Sequence, residues 1–327
     1  MSGKVILNIE GVSQWFGENR VLHDINLKII QGQFVALVGS SGCGKSTLLR
    51  AILGTEPPKQ GIIETDGVPV LGPNRNVGIV YQKYGLYRFL TVEQNVEFGL
   101  KLDETQIRHR LFMPFFWNSL KKTHKEKSNE MLDKLRLKDS YNKYPSELSG
   151  GMQQRVAIAQ ALVMKPKLLL LDEPFGALDE STREELQMML LRLYQENLIA
   201  IKNGQDPPWT VIIITHELNE AFYVSDRVVG LSRNWKERND VEDGLKESPL
   251  YGWNYGQQLG STKVWDKAAP TFHPDEPKNF SKFSAMRDEL KNSVLNGINP
   301  IERDIHVNFW DDLSKGVGTG VAFTKRD

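Results

Sequence analysis

The chain has 327 residues with 41 Lys plus Arg against 41 Asp plus Glu, and 40% of its residues are apolar. Balanced charge argues against a broad nucleic-acid footprint and ordinary globular composition against disorder of the whole chain, while a single cysteine, Cys43, excludes an internal disulfide and most structural zinc sites. No apolar run approaches the roughly 18 residues of a membrane span, and the opening MSGKVILNIE lacks a long apolar stretch, so neither a spanning helix nor a secretory signal is expected.

In chain order, residues 34–38 (FVALV) read as a short buried strand running into GSSGCGKST, residues 39–47. That segment fits G-x-x-x-x-G-K-[ST]: glycines permit a tight loop, backbone N–H groups wrap a phosphate, and the following helix points its positive end at the same anion. Gly39, Ser40, Ser41, Gly42, Cys43, Gly44, Lys45, Ser46 and Thr47 are therefore expected to bind ATP phosphates. Lys45 supplies a charge between the β- and γ-phosphates, and the Ser46 hydroxyl is a ligand for Mg²⁺. A helix over 47–53 stops at Gly54, and Asp66-Gly67 turns a hairpin between 61–65 and 68–71.

From Gln82 to Pro166 the pattern becomes helix-like, clearest over 131–137 and 152–164, and predicts an inserted helical subdomain of about residues 83–165. Its stretch 101–143 holds eleven Lys or Arg against six Asp or Glu, and within it LFMPFFW (111–117) precedes a lysine-rich segment. An aromatic cluster inside the subdomain accounts for that run better than a lipid- or partner-facing patch. LSGGM (148–152) starts a helix, with Ser149 as N-cap and Gly150 and Gly151 exposing N–H groups to a second anion. No second lysine loop accompanies it, so the economical arrangement is a head-to-tail pair of chains, each capping the ATP held by the other.

The apolar run LLLL (168–171) predicts a central strand ending at Asp172 and Glu173, where open α/β sheets bind ligands. Asp172 suits Mg²⁺, and Glu173 suits a general base acting on water. A further strand over 211–214 leads to His216, then a helix over 217–224 and a strand over 227–231. NGQDPPW (203–209) and the polar stretch 232–259 read as an inserted loop and an extended loop. Helical spacing returns over 281–296, and a C-terminal tail follows from Gly297.

These motifs, in this order, resemble the nucleotide-binding subunit of an ABC transporter, strongly over residues 5–231 and weakly over 260–296. The resemblance implies an α/β fold: a P-loop NTPase (ABC ATPase) core with a largely parallel sheet, an antiparallel β hairpin region and the inserted helical subdomain, in one domain of residues 1–296. It makes 39–47 the Walker A loop and Gln82 the residue that opens the helical subdomain and joins Ser46 and Asp172 on Mg²⁺. It assigns Ser149, Gly150 and Gly151 to the signature acting in trans, and Asp172 and Glu173 to Walker B. Asp179 then crosses the dimer interface, and His216 senses the γ-phosphate. Phe16 is the adenine-stacking aromatic, with Trp15 its rival. LSGGMQQRVAIAQAL with LLLLDEPFGALDE is similar to importer subunits of the nitrate, sulfonate and taurine group.

The implied protein is an ATPase, peripheral on the cytoplasmic face of the inner membrane. Its expected partners are transmembrane permease subunits, a solute-binding protein and a second chain, identical or related, with no nucleic acid. A soluble ABC ATPase working on macromolecular assemblies is the alternative. No sustained heptads separate Walker A from the signature, and a single cassette is present, which disfavours repair and tandem types. A non-catalytic scaffold is disfavoured by intact Lys45, Asp172, Glu173 and His216.

Overall fold

A computed structural model describes residues 3–104, 114–176, 178–236, 259–276, 278–295 and 300–314. Two long strands, β1 (Val5–Phe16) and β2 (Asn19–Ile30), pair antiparallel and are joined on the free side of β1 by β4 (Gln60–Thr65) and β5 (Val68–Pro69). The β4–β5 hairpin turns at Asp66 and Gly67, both with positive φ, as Asp-Gly at this place predicts.

The central sheet has the order β13 (His306–Val307), β11 (Thr262–Ala268), β9 (Arg227–Ser232), β3 (Phe34–Gly39), β8 (Val211–Ile214), β7 (Leu168–Asp172) and β6 (Val77–Val80). Strands β9, β3, β8, β7 and β6 run parallel, and β11 lies antiparallel to β9. Parallel central strands are covered on both faces and read as continuous apolar runs, which is why FVALV, LLLL and VIII were legible. Alternate side chains feed two cores. Phe34, Ala36, Val38, Leu169, Leu171, Val211 and Ile213 face the helices, while Val35, Leu37, Leu168, Leu170, Ile212 and Ile214 face the antiparallel sheet and helix α1 (Lys45–Leu53).

The helical layer holds α2 (Val92–Glu104), α3 (Pro114–Lys134), α4 (Gly150–Leu162), α5 (Glu180–Lys202), α6 (Leu218–Val224) and α7 (Ser284–Leu290). Helix α3 ends at Lys134, three residues short of the sequence expectation, and Arg136 takes a left-handed φ of 59°. Helix α5 was not anticipated: its opening ESTREELQ is polar, and its buried face begins only at Leu186 and continues through Met189, Leu190, Leu193, Tyr194 and Ile201. The helix expected over 281–296 is divided into α7 and a π-helical turn, Lys291–Leu295. The side chains of the aromatic run 111–117 lie outside the described residues.

In the loop expected over 232–259, Trp235–Lys236 forms strand β10, and residues 237–258 lie outside the described residues. Part of the segment after Gly297 is packed against the body: β12 (Ile301–Glu302) pairs with β10, β13 pairs with β11, and α8 (Phe309–Ser314) buries Phe309. No helix among the described residues is long and apolar enough to cross a membrane.

Candidate active site

Three neighbouring strands gather the site. β3 delivers Gly39 and the loop after it, β7 delivers Asp172 and Glu173, and β8, lying between them, delivers His216. Registry is close: Leu37 is level with Ile214, and Ile214 with Asp172. Their carboxyl ends open into a cavity of about 600 Å³ lined by Ser41, Gly42, Gly44, Lys45, Ser46, Thr47, Asp172, Glu173 and His216.

The loop is built by two glycines with φ of 77° (Gly42) and 90° (Gly44), values that an L side chain rarely adopts. Gly44 ends the loop as N-cap of α1, so the positive end of that helix faces the cavity. Buried Lys45 donates from Nζ to the carbonyl oxygens of Gly39 and Ser40 at 2.7 and 3.0 Å. Cys43 is buried under the loop with a thiol pushed up in pKa by that burial, so it serves as packing rather than as a nucleophile.

Opposite stands the carboxylate pair. Burial first, and then the neighbouring Glu173 charge, push the Asp172 carboxyl above its ordinary value, against the pull of Lys45 and Arg50. Glu173 has a φ of 47°, a conformation costing on the order of 1–3 kcal/mol in a non-glycine residue, and its N–H donates to Ile214 at 2.9 Å. Its side chain is held at both oxygens: Gln82 Nε2 donates to Oε2 at 3.2 Å, and His216 Nδ1 lies 3.4 Å from Oε1. The geometry thus combines an anion cradle, a lysine and a carboxylate aimed by two polar side chains.

Ser149, Gly150 and Gly151 do not line this cavity. Ser149 caps α4, accepting from Met152 N–H at 3.3 Å. Gly151 lies against Thr182 of α5 so closely that an added Cβ would fall 1.8 Å from Thr182 Cγ2. Asp179 caps α5 by accepting from Thr182 N–H at 3.0 Å, and those bonds hold its carboxyl below the ordinary range. Phe16 sits at the tip of the β1–β2 hairpin, 43% exposed and outside the cavity lining, which takes Val21 from that hairpin instead. Trp15 is half-buried beneath the guanidinium of Arg20, 5.7 Å from its ring centre.

Sequence reasoning missed Glu220. It is buried on α6 and its Oε2 accepts from Thr215, the residue before His216, at 3.0 Å. A carboxylate among the apolar positions of LNEAFYV was the available signal.

Residues 22–176 match the family model described as ABC transporter. The sulfate/thiosulfate import ATP-binding protein CysA of Synechocystis sp. is 40% identical over 274 residues, covering 82% of this chain and 70% of that protein. The aliphatic sulfonates import ATP-binding protein SsuB of Bacillus cereus is 38% identical, covering 69% of this chain and 81% of that protein. Among solved structures, a dimeric post-hydrolysis ATP-binding cassette bound to ADP and Pi superposes with a TM-score of 0.54 at 29% identity, covering 68% of this chain and 93% of that one. With the strand order and phosphate loop above, these relationships place the chain in the family of ABC transporter ATP-binding subunits, and its chemistry is ATP hydrolysis.

Proposed function

We propose that this chain energises import of a small oxyanion through a separate membrane permease, working as a head-to-tail pair on the cytoplasmic face of the inner membrane. The observation that carries the proposal is the convergence of Lys45, Asp172, Glu173 and His216 on one cavity that the signature segment of the same chain does not line. A site complete in charge and base, with a second anion-binding helix start elsewhere, calls for a second chain, identical or related, to close it.

The loop N–H groups and Lys45 hold the β- and γ-phosphates, and His216 contacts the γ-phosphate. Glu173 takes the proton of a water whose oxygen attacks the γ-phosphorus; the bond to the β-phosphate oxygen breaks and ADP leaves. The half-buried carboxylates of Asp172 and Glu173 and the Ser46 hydroxyl in the cavity, with the Gln82 amide hydrogen-bonded to Glu173 beside it, form an oxygen-donor set suited to Mg²⁺. Ser46, Gln82 and Asp172 would hold the ion, which would supply neutralisation of phosphate charge. Ser149, Gly150 and Gly151 of the opposing chain cap the γ-phosphate, and Asp179 lies along the joint. Phe16 is assigned to the adenine ring.

Closing the pair from 1:99 to 99:1 takes about 5.5 kcal/mol of differential binding. Hydrogen bonds to a charged group contribute about 1.5–3 kcal/mol each, so two or three across each of two sites suffice. Loss of the γ-phosphate removes them. The helices between Gln82 and Pro166 then carry the movement to the permease.

The names of the two relatives favour a sulfur oxyanion, sulfate or an organosulfonate such as taurine, over nitrate as the solute. The test is affinity capture of the chain from detergent-solubilised membranes with mass spectrometry of its partners. A polytopic membrane protein, with or without a solute-binding protein, is the expected companion. Exclusive recovery of soluble assemblies would overturn the importer reading.

A further inference from the structure

Glu220 belongs to neither the phosphate loop nor the carboxylate pair, yet it touches the loop that carries His216 and, on α5, Arg183. Its Oε2 accepts from Thr215 Oγ1 at 3.0 Å, and the same hydroxyl accepts from Glu217 N–H at 3.0 Å, so one group fixes both residues flanking His216. Its Oε1 lies 3.3 Å from Arg183 Nε, an electrostatic contact rather than a directed hydrogen bond. Arg183, on the first turns of α5, donates through Nη2 to the carbonyl of Leu178 at 3.2 Å and through Nη1 to Glu180 at 2.8 Å. A continuous path therefore runs from His216 through Thr215, Glu220 and Arg183 to the carbonyl preceding Asp179.

We propose that Glu220 is a positioning residue that locks the His216 loop to the loop carrying Asp179, so that the state of the γ-phosphate in one site is passed to the surface facing the second chain. This rests on the two-site dimer proposed above. Burial makes the link mechanical. Thr215 and Glu220 are almost inaccessible, and displacing either end leaves a polar group stranded. Arg183 is the only cation within ion-pair distance of Glu220 among the described residues.

The test is steady-state ATP turnover by the full chain, with kcat, KM and Hill coefficient compared for Glu220→Gln, Arg183→Met and the double variant. Binding of a fluorescent ATP analogue and the thermal midpoint are measured beside them. Glu220→Gln keeps the shape and an acceptor for Thr215 while removing the charge facing Arg183. Nucleotide binding within about twofold, kcat down by about tenfold and a Hill coefficient falling toward one are expected, with the double variant no worse than the weaker single. Arg183 is one-third exposed, so Arg183→Met reports on the same link should Glu220→Gln fold poorly. A folded Glu220→Gln or Arg183→Met chain with parental kcat and cooperativity, or losses that multiply in the double variant, overturns the proposal. A Hill coefficient of one in the unsubstituted chain instead overturns the dimer reading, and this proposal with it.

Discussion

Gln82 and Glu173 stand 91 residues apart in sequence, and the Gln82 amide donates to Glu173 Oε2 at 3.2 Å. This contact joins the segment that opens the helical layer to the carboxylate at the end of β7. Glu173 has its backbone in a left-handed conformation and its other oxygen beside His216, so its aim is fixed from three directions. Replacing it with glutamine keeps both neighbours and removes the base. Glu173→Gln should lower ATP turnover by about 10²–10⁴ while leaving ATP binding intact, and should accumulate an ATP-bound dimer visible by size exclusion with light scattering. Turnover at the parental rate would remove Glu173 from the role of base.

Lys45 fails differently. Its ammonium is held by two backbone carbonyls inside the loop, where a phosphate oxygen competes favourably for it. Lys45→Ala should reduce turnover by about 10²–10³ and also weaken fluorescent-ATP binding, whereas Glu173→Gln should not. Equal binding by the two variants would contradict the assignment of Lys45 to the phosphates.

The site was legible in sequence wherever local geometry dictates chemistry: the Gly42 and Gly44 turns, the lysine, and carboxylates closing an apolar run. The central strands were legible because parallel strands buried on both faces are apolar throughout. Helix α5 was not, because its opening turns are charged and polar and its buried face starts only at Leu186. Strand β11 was missed because TKVWDKA has neither strict alternation nor a continuous apolar run, and it buries a charge. Glu220 and Asp266 escaped for one reason: partners that make a buried carboxylate tolerable, Arg183 and Arg227, lie 37 and 39 residues away and are invisible to periodicity.

Gly151 tests the contact between the signature helix and α5. A methyl group at this position meets Thr182 Cγ2 at 1.8 Å, so the Thr182 side chain must turn aside or the two helix starts must separate. Gly151→Ala should cut turnover by about tenfold or more with unchanged nucleotide binding by the separate chain. Adding Thr182→Ser, which deletes the obstructing methyl, should restore most of it. Failure of the second change to rescue would mean that the glycine is required for something other than this packing.

The last prediction concerns stability away from the cavity. Arg227 and Asp266, both wholly buried, form two parallel bonds of 2.7 and 2.9 Å, with Lys263 donating to the same carboxylate at 2.8 Å and the Phe309 ring 3.8 Å from the guanidinium carbon. Burial alone would push the Asp266 carboxyl up, but Arg227 and Lys263 outweigh it and hold it below the ordinary value. The unfolded chain therefore takes up this proton first as pH falls, and the contribution to stability is complete above about pH 4 and lost as pH drops through the lowered value. Asp266→Asn strands the Arg227 charge and should cost about 3–5 kcal/mol at pH 7 in urea denaturation, with the difference from the parent shrinking toward the acid end. A constant difference from pH 7 down to the acid transition would mean that the loss comes from packing alone and not from the charge on Asp266.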